Sequence, residues 1–316
     1  MGEARRGRIS TPCIEMAPTP RFRDAMTDTA YAELWHDLVE HFGGETAGSE
    51  KRMMARWRKR ARSWGYTEEN RKRDWDDPLM RFVLGRLEDE DTVLDVGAGI
   101  GRWSIPMAMI CKKVTALDKL DGMLDILREK ASHEKVENIE TIQGDWQEVA
   151  LAPHDHVLSS HAAYGSPDIV GYARKMETLA HKACYMVMRV PKHDGVIGQL
   201  SRRIHGCWHD SPNFLVGYNA LLQVGISGHV IMEETGRFWR NETLEDALGR
   251  VKRHLHLHSE EHDGAIMDVL KQRLWFRDGE YWWPDWMRYA QIWWLSLIHI
   301  YEPTILDAIY RMTSSG

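Results

Sequence analysis

The stretch Val93-Leu-Asp-Val-Gly-Ala-Gly-Ile-Gly101 runs from an apolar segment into a glycine-rich turn, and a helical pattern opens directly behind it at Arg102. The apolar segment reads as a short buried strand. Glycine at three alternate positions reads as a turn whose backbone takes φ > 0 and lets a ligand come close. A helix starting there aims unpaired N–H groups at the same point, so the strand-turn-helix unit suits a nucleotide-like ligand. Glycine turns also serve plain strand-to-helix connections, so the surrounding sequence has to decide.

Around this unit, short apolar runs alternate with helical patterns. Thr92 to Val96, Val114 to Leu117, Ile139 to Ile142, His156 to Ser159 and Cys184 to Val190 read as strands. Trp103 to Ile110, Gly122 to Ala131 and Ile169 to Ala180 read as the helices between them. Such alternation predicts an α/β fold with a mostly parallel sheet covered on both faces. Residues 191–226 interrupt it with Gly, His, Trp and Pro and read as an insertion. A strand from His229 to Glu233, a helix from Leu244 to Leu255 and Trp-rich runs at Arg273 to Phe276 and Met287 to Trp294 complete the sheet.

Upstream, Tyr31, Leu34, Leu38 and Phe42 recur at helical spacing, as do Met53, Trp57, Ala61 and Trp64, and Asp77-Pro78 opens a further helix. Residues 26–90 therefore read as an N-terminal helical lid on a domain spanning residues 91–294. Residues 1–25 lack periodicity and read as a disordered extension, with a further Met at position 26 just before the first helical stretch. The run Leu295-Ser-Leu-Ile-His-Ile300 resembles the translation of a sequencing-library adapter, which sets residues 295–316 apart from the fold as a tail.

The chain has 316 residues, 43% of them hydrophobic, enough for an ordinary core, and its net charge of −6 offers no general attraction to phosphate backbones or anionic lipid. Nucleic-acid and membrane partners are disfavoured on that ground. Cys13, Cys111, Cys184 and Cys207 show neither disulfide-framework nor zinc spacing. No apolar run reaches the roughly 20 residues that span a bilayer. Together these features predict a cytoplasmic protein.

Carboxylates punctuate the strand ends: Asp95 in the first, Asp118 at the end of the second, and Asp145 in Gly144-Asp145-Trp146 after the third. Open α/β sheets bind ligands at that carboxyl edge. With these residues the sequence resembles the class I S-adenosylmethionine-dependent methyltransferase family, in its small-molecule branch, closely over residues 92–190 and more loosely beyond. The resemblance implies a Rossmann-like three-layer sandwich around a seven-stranded sheet, with S-adenosylmethionine as cofactor. It implies that Asp95 and the loop Gly97, Ala98, Gly99 and Gly101 hold the cofactor's amino-acid part. Asp118, with Lys119 beside it, would take the ribose hydroxyls; Met123 would pack on the adenine, and Asp145 and Trp146 would meet its edge. The fourth strand end, Leu158 to Tyr164, would touch cofactor at Ser159 and the acceptor beyond. His161 is the candidate general base there, with Tyr164 as its partner.

The implied activity is methyl transfer to a small molecule held between the carboxyl edge and the lid. The acceptor atom (O, N, C or S) and the oligomeric state stay open. Absence of an Asn/Asp-Pro-Pro-Tyr/Phe tetrapeptide at Ser159-Ser-His161 disfavours adenine-N6 and glutamine-type acceptors. The insertion residues His205, Trp208, His209, Phe214, Tyr218 and Asn219 are candidates to line the acceptor pocket. RNA is the alternative acceptor, favoured by the basic run Lys51 to Arg73 interleaved with Trp57, Trp64 and Tyr66. A second alternative is a cofactor-binding module without turnover. A nicotinamide-dependent enzyme fits less well, because Gly101 follows Gly99 after a single residue where its GxGxxG motif has two. His254, His258, Glu260, Glu261 and His262 have metal-ligand chemistry without a second cluster, so no metal is expected.

Overall fold

The computed structural model describes residues 30–43, 75–192, 195–206 and 211–296. The expected helix around Trp57, the basic run from Lys51 to Arg73, Trp208, His209, the first 25 residues and those after Ser296 lie outside the described residues.

Strands β1 (Thr92–Val96), β2 (Lys113–Asp118), β3 (Ile139–Gln143), β4 (His154–Ser160) and β5 (Ala180–Val190) pair in parallel in the order 3-2-1-4-5. β8 (Glu280–Leu295) lies antiparallel on β5, and β6 (His229–Asn241) follows at the edge. These seven strands form the mostly parallel sheet that the alternation predicts. The short β7 (Trp275–Arg277) pairs off that path with β8. The C-terminal strand runs further than expected: Leu295 pairs with Ala183, and Ser296 donates its N–H to the Lys182 carbonyl at 3.0 Å. Those two residues, set apart as tail by the sequence, continue the sheet.

Period-two alternation divides the side chains between two cores. From β4, β5 and β8, Val157, Cys184, Met186, Met188, Ala290, Ile292 and Trp294 face one side, where the helices Ala30–Gly43, Ile169–Leu179 and Phe214–Gln223 cover them. Val93, Leu158, Ala183, Tyr185 and Val187 face the other, against the helix Pro78–Leu84 and Trp103 and Met107. Each fully buried Val, Leu, Ile or Met among them contributes about 1.5–3 kcal/mol. Trp35 anchors the first helix in this core: it is wholly buried and its indole N–H donates to the Ser166 carbonyl at 2.8 Å.

Local chemistry sets the helix starts. Asp77, Asp168, Asn213 and Thr243 accept N–H groups from the first turns of the helices they precede. At the amino edge of the sheet, Asp91 takes Lys182 Nζ at 2.5 Å and His156 Nε2 at 3.0 Å. Burial alone would raise the Asp91 carboxyl; the Lys182 ammonium, the Glu88 N–H and His156 together hold it below its ordinary value.

The chain divides into two compact units. The larger comprises residues 29–190, 212–235 and 288–316; it contains β1 to β5 and the cores just described. The smaller comprises residues 1–28, 191–211 and 236–287. Its core is built from Val196 and Leu200 of the helix Val196–His205, Ala247 and Val251 of Leu244–His254, Ile266 and Leu270 of Asp263–Arg273, and Trp283. The segment 191–226, read from the sequence as an insertion, contains helical structure. It holds two helices, one in each unit, the first closed by Gly206 at φ 75° and the second opened by the Asn213 side chain.

Candidate functional site

The parallel order 3-2-1-4-5 makes β1 and β4 neighbours whose connections leave in opposite directions, which opens a crevice at their carboxyl ends. The glycine turn enters that crevice. Gly97, Gly99 and Gly101 take φ of 72°, 56° and 81°, so all three need the conformation that glycine alone adopts readily. Gly97 and Ala98 donate their N–H groups to the Leu117 carbonyl at 2.8 and 2.9 Å, pinning the turn to the end of β2. A Cβ on Gly97 would stand 2.2 Å from the Cβ of Ala162, so the turn after β1 and the turn after β4 touch here.

Asp118 closes β2 and ties the two adjacent turns together. Its Oδ2 accepts from Gly99 N–H at 2.8 Å and its Oδ1 from Leu120 N–H at 2.9 Å. Burial raises its carboxyl above the ordinary value against the pull of those two donors. Asp95 lies deeper. Its carboxyl is 1% exposed, accepts the Ser104 hydroxyl at 2.6 Å, and is pushed up to about 7 by burial, with the charge of Asp118 adding to the rise.

The third strand end carries Asp145, which accepts from Gln147 N–H at 2.9 Å and lies 3.4 Å from the Lys119 ammonium. Trp146 beside it is buried against Tyr172, ring centroids 5.4 Å apart, and among the described residues its indole N–H meets no acceptor. Tyr172 also holds Ser159, Oη to Oγ 2.8 Å, at the end of β4. Met123 is buried against Ile100 of the glycine turn. The expected binding residues therefore gather at the carboxyl ends of β1 to β4.

His161 and Tyr164 follow on the fourth strand end. His161 takes φ 58° and donates its backbone N–H to the Val187 carbonyl at 3.0 Å. Its Nδ1 lies 3.0 Å from the Tyr164 hydroxyl, which itself accepts the Arg189 N–H. Tyr289 of β8 presents its ring at 64° to the imidazole, 4.6 Å between centroids. Sequence reasoning did not find Ser104, Tyr172, Tyr289 or Trp35, which stacks 6.4 Å from Tyr164. They come from helices and a distant strand and carry no motif. Of the suggested acceptor-lining residues, Phe214 and Tyr218 stack on one another at 5.3 Å, with the Tyr218 hydroxyl on the Gly228 carbonyl. Asn219 donates to the Leu215 carbonyl within its own helix. His205, in the smaller unit, bonds the Leu255 carbonyl at 2.9 Å.

Among the described residues no group of three or more His, Cys, Asp or Glu side chains is placed to hold a metal, and His254 stacks on Trp239. No helix among the described residues is long and apolar enough to cross a membrane.

Residues 93–182 match the family model described as a methyltransferase domain. That segment is a methyltransferase domain. With its parallel strands in the order 3-2-1-4-5 it is of the class I, S-adenosylmethionine-dependent kind. The methyltransferase domain covers β1 to β4 and the start of β5, and so contains Asp95, Asp118 and Asp145.

Over 87 residues the chain is 38% identical to a probable ribosomal RNA small subunit methyltransferase A of Methanosphaera stadtmanae, covering 27% of this chain and 32% of that protein. Over 175 residues it is 28% identical to an uncharacterized protein of Haemophilus influenzae, covering 52% and 62%. The chain thus spans less than two thirds of these relatives. Among solved structures it resembles the magnesium protoporphyrin IX methyltransferase of Synechocystis, at 14% identity and a TM-score of 0.42 over 75% of this chain and 93% of that one.

Proposed function

We propose that this protein transfers a methyl group from S-adenosylmethionine to a small-molecule acceptor held at the carboxyl edge of the sheet. The observation that carries the reading is the meeting of Asp95, the Gly97 to Gly101 turn, Asp118 and the His161–Tyr164 pair at one crevice. The buried, uncompensated carboxyl of Asp95 and the unpartnered Trp146 N–H fit a cationic ligand that carries a heteroaromatic ring.

In this reading Asp95 and the loop Gly97, Ala98, Gly99 and Gly101 hold the amino-acid part, Asp118 and Lys119 the ribose, and Met123, Asp145 and Trp146 the adenine, with Ser159 at the border to the acceptor. The cofactor, when bound, supplies an electrophilic methyl group on a sulfonium. Lined-up approach and exclusion of water then provide most of the acceleration. For an acceptor that carries a proton, His161 takes it up, steadied by the Tyr164 hydroxyl. A cytoplasmic setting belongs to the same proposal, supported by the buried, unbridged thiols of Cys111 and Cys184.

Calorimetric titration of S-adenosylhomocysteine and of NAD into the wild type and Asp118→Ala tests the cofactor assignment. Micromolar binding of the first ligand, lost in the variant, is expected; preference for NAD would sink it. Consumption of S-adenosylmethionine across an acceptor panel then separates an enzyme from a binding module.

RNA is the second reading. It is supported by the curated relative named for ribosomal RNA and by a hairpin in the smaller unit. There Trp275 and Phe276 are 59% and 65% exposed, and Arg240 and Arg277 lie 5.0 and 5.8 Å from the Trp282 ring. Exposed aromatics beside arginine are a stacking platform for single-stranded nucleic acid. Binding of a single-stranded oligoribonucleotide that weakens steeply with salt and is lost in Trp275→Ala would favour this acceptor over a small molecule.

A further inference from the structure

Asp95 sits in an unusual electrostatic setting. It lies next to last in β1, and only Ser104 supplies donors to its carboxyl, from the hydroxyl at 2.6 Å and from the backbone. Among the described residues no cationic side chain is paired with it. From β2 it faces Asp118, a second carboxylate; from the helix Ile169–Leu179 it faces the phenol of Tyr172, which is held to Ser159 of β4. Arg102, the nearest basic residue along the chain, is engaged by Asp77. A bare carboxylate in such a place loses its hydration without gaining a counter-charge, so the neutral acid is the favoured form near pH 7.

The ligand assigned to this crevice brings that counter-charge, an ammonium and a sulfonium. Resting on the proposed function, we propose that Asp95 holds a proton in the free protein in mildly acidic solution and ionises when the cofactor's cation arrives, so that binding there expels that proton to solvent. The carboxyl's O–H bond breaks, its electron pair stays on oxygen, and buffer takes the proton.

The test is calorimetry of S-adenosylhomocysteine binding to the full chain at about pH 6, 7 and 8, each in two buffers of different ionisation enthalpy. About one proton released per ligand is expected at pH 6, falling toward none at pH 8. Affinity should be about tenfold weaker at pH 6 than at pH 8, since one pH unit below the carboxyl's pKa costs a factor of ten. Ser104→Ala removes a donor that favours the ionised form, and should move the midpoint of proton release to higher pH with the ligand still bound. Asp95→Asn should bind more weakly and release no proton. Binding without proton release at pH 6, or release unchanged in Asp95→Asn, overturns the proposal while leaving the cofactor assignment standing. Absence of binding at every pH overturns that assignment, and the proposal with it.

Discussion

Replacing Gly97 by alanine tests the claim that the turns after β1 and β4 are built against one another. Two costs are expected. Gly97 has φ 72°, a conformation that costs an L-residue about 1–2 kcal/mol. Its new Cβ would also lie 2.2 Å from Ala162 Cβ, so one of the two turns has to yield by more than an ångström. The Ala162 turn is held on both sides, by His161 N–H on the Val187 carbonyl and by the Tyr164 hydroxyl on Arg189 N–H. Overpacking at such a place adds about 1–3 kcal/mol. Gly99 is the internal control: its φ is 56°, yet a Cβ there meets nothing within 4 Å. In urea denaturation Gly97→Ala should therefore lose about 2–5 kcal/mol and Gly99→Ala about 1–2 kcal/mol. Combining Gly97→Ala with Ala162→Gly removes the colliding methyl, so the double variant should recover about 1–3 kcal/mol relative to additivity. Equal losses at the two glycines, or strict additivity in the cycle, would refute the contact between the turns.

Three further outcomes follow from the charged groups. Asp91→Asn leaves Lys182 and His156 around a buried amide and should cost about 3 kcal/mol in urea denaturation at neutral pH. Because the Asp91 carboxyl is held below its ordinary value, its contribution is complete above that value and fades only as pH falls through the lowered one; a loss that stays undiminished in strong acid would contradict this. Asp95 has the opposite sign. Its folded pKa of about 7 lies above the ordinary 3.8, so the ligand-free protein holds a proton that the unfolded chain has lost, and stability declines as pH rises between those values. Asp95→Asn should flatten that decline and make the ligand-free protein more stable than wild type at pH 8, by a few kcal/mol at most; an unchanged urea midpoint would contradict it. His161→Asn should slow methyl transfer about a hundredfold with S-adenosylhomocysteine affinity intact; an equal loss of ligand affinity would mark His161 as a structural residue of its turn.

The cofactor-binding half was legible because its signals are local. A strand, a turn that needs φ > 0 at Gly97, Gly99 and Gly101, and carboxylates at Asp95, Asp118 and Asp145 all fall within one βαβ repeat each, where sequence spacing and spatial spacing agree. The sequence marks residues 191–226 only as an insertion rich in Gly, His, Trp and Pro, without resolving the helices Val196–His205 and Phe214–Gln223 inside it, and it gives no sign of the helix Asp263–Arg273. What defines these helices is partnership: Leu200, Val251, Ile266 and Leu270 are buried in one core together with Val196, Ala247 and Trp283. The Trp-rich end was read as two short final strands, whereas β8 runs from Glu280 to Leu295, because its pairing with β5 continues to Ala183.

The residues that surround the candidate base mark the boundary most clearly. His161 and Tyr164 were found from their position after the fourth strand, three residues apart on one turn. Tyr289 meets the same imidazole from a strand 128 residues further on, and Arg189 meets Tyr164 from β5. Ser104 under Asp95 and Tyr172 under Ser159 arrive in the same way, from helices laid across the sheet. Backbone conformation and strand polarity are written in neighbouring residues, since they depend on φ, ψ and period. The company a buried carboxyl or imidazole keeps depends on which strands close beside it, and only the assembled sheet brings that about.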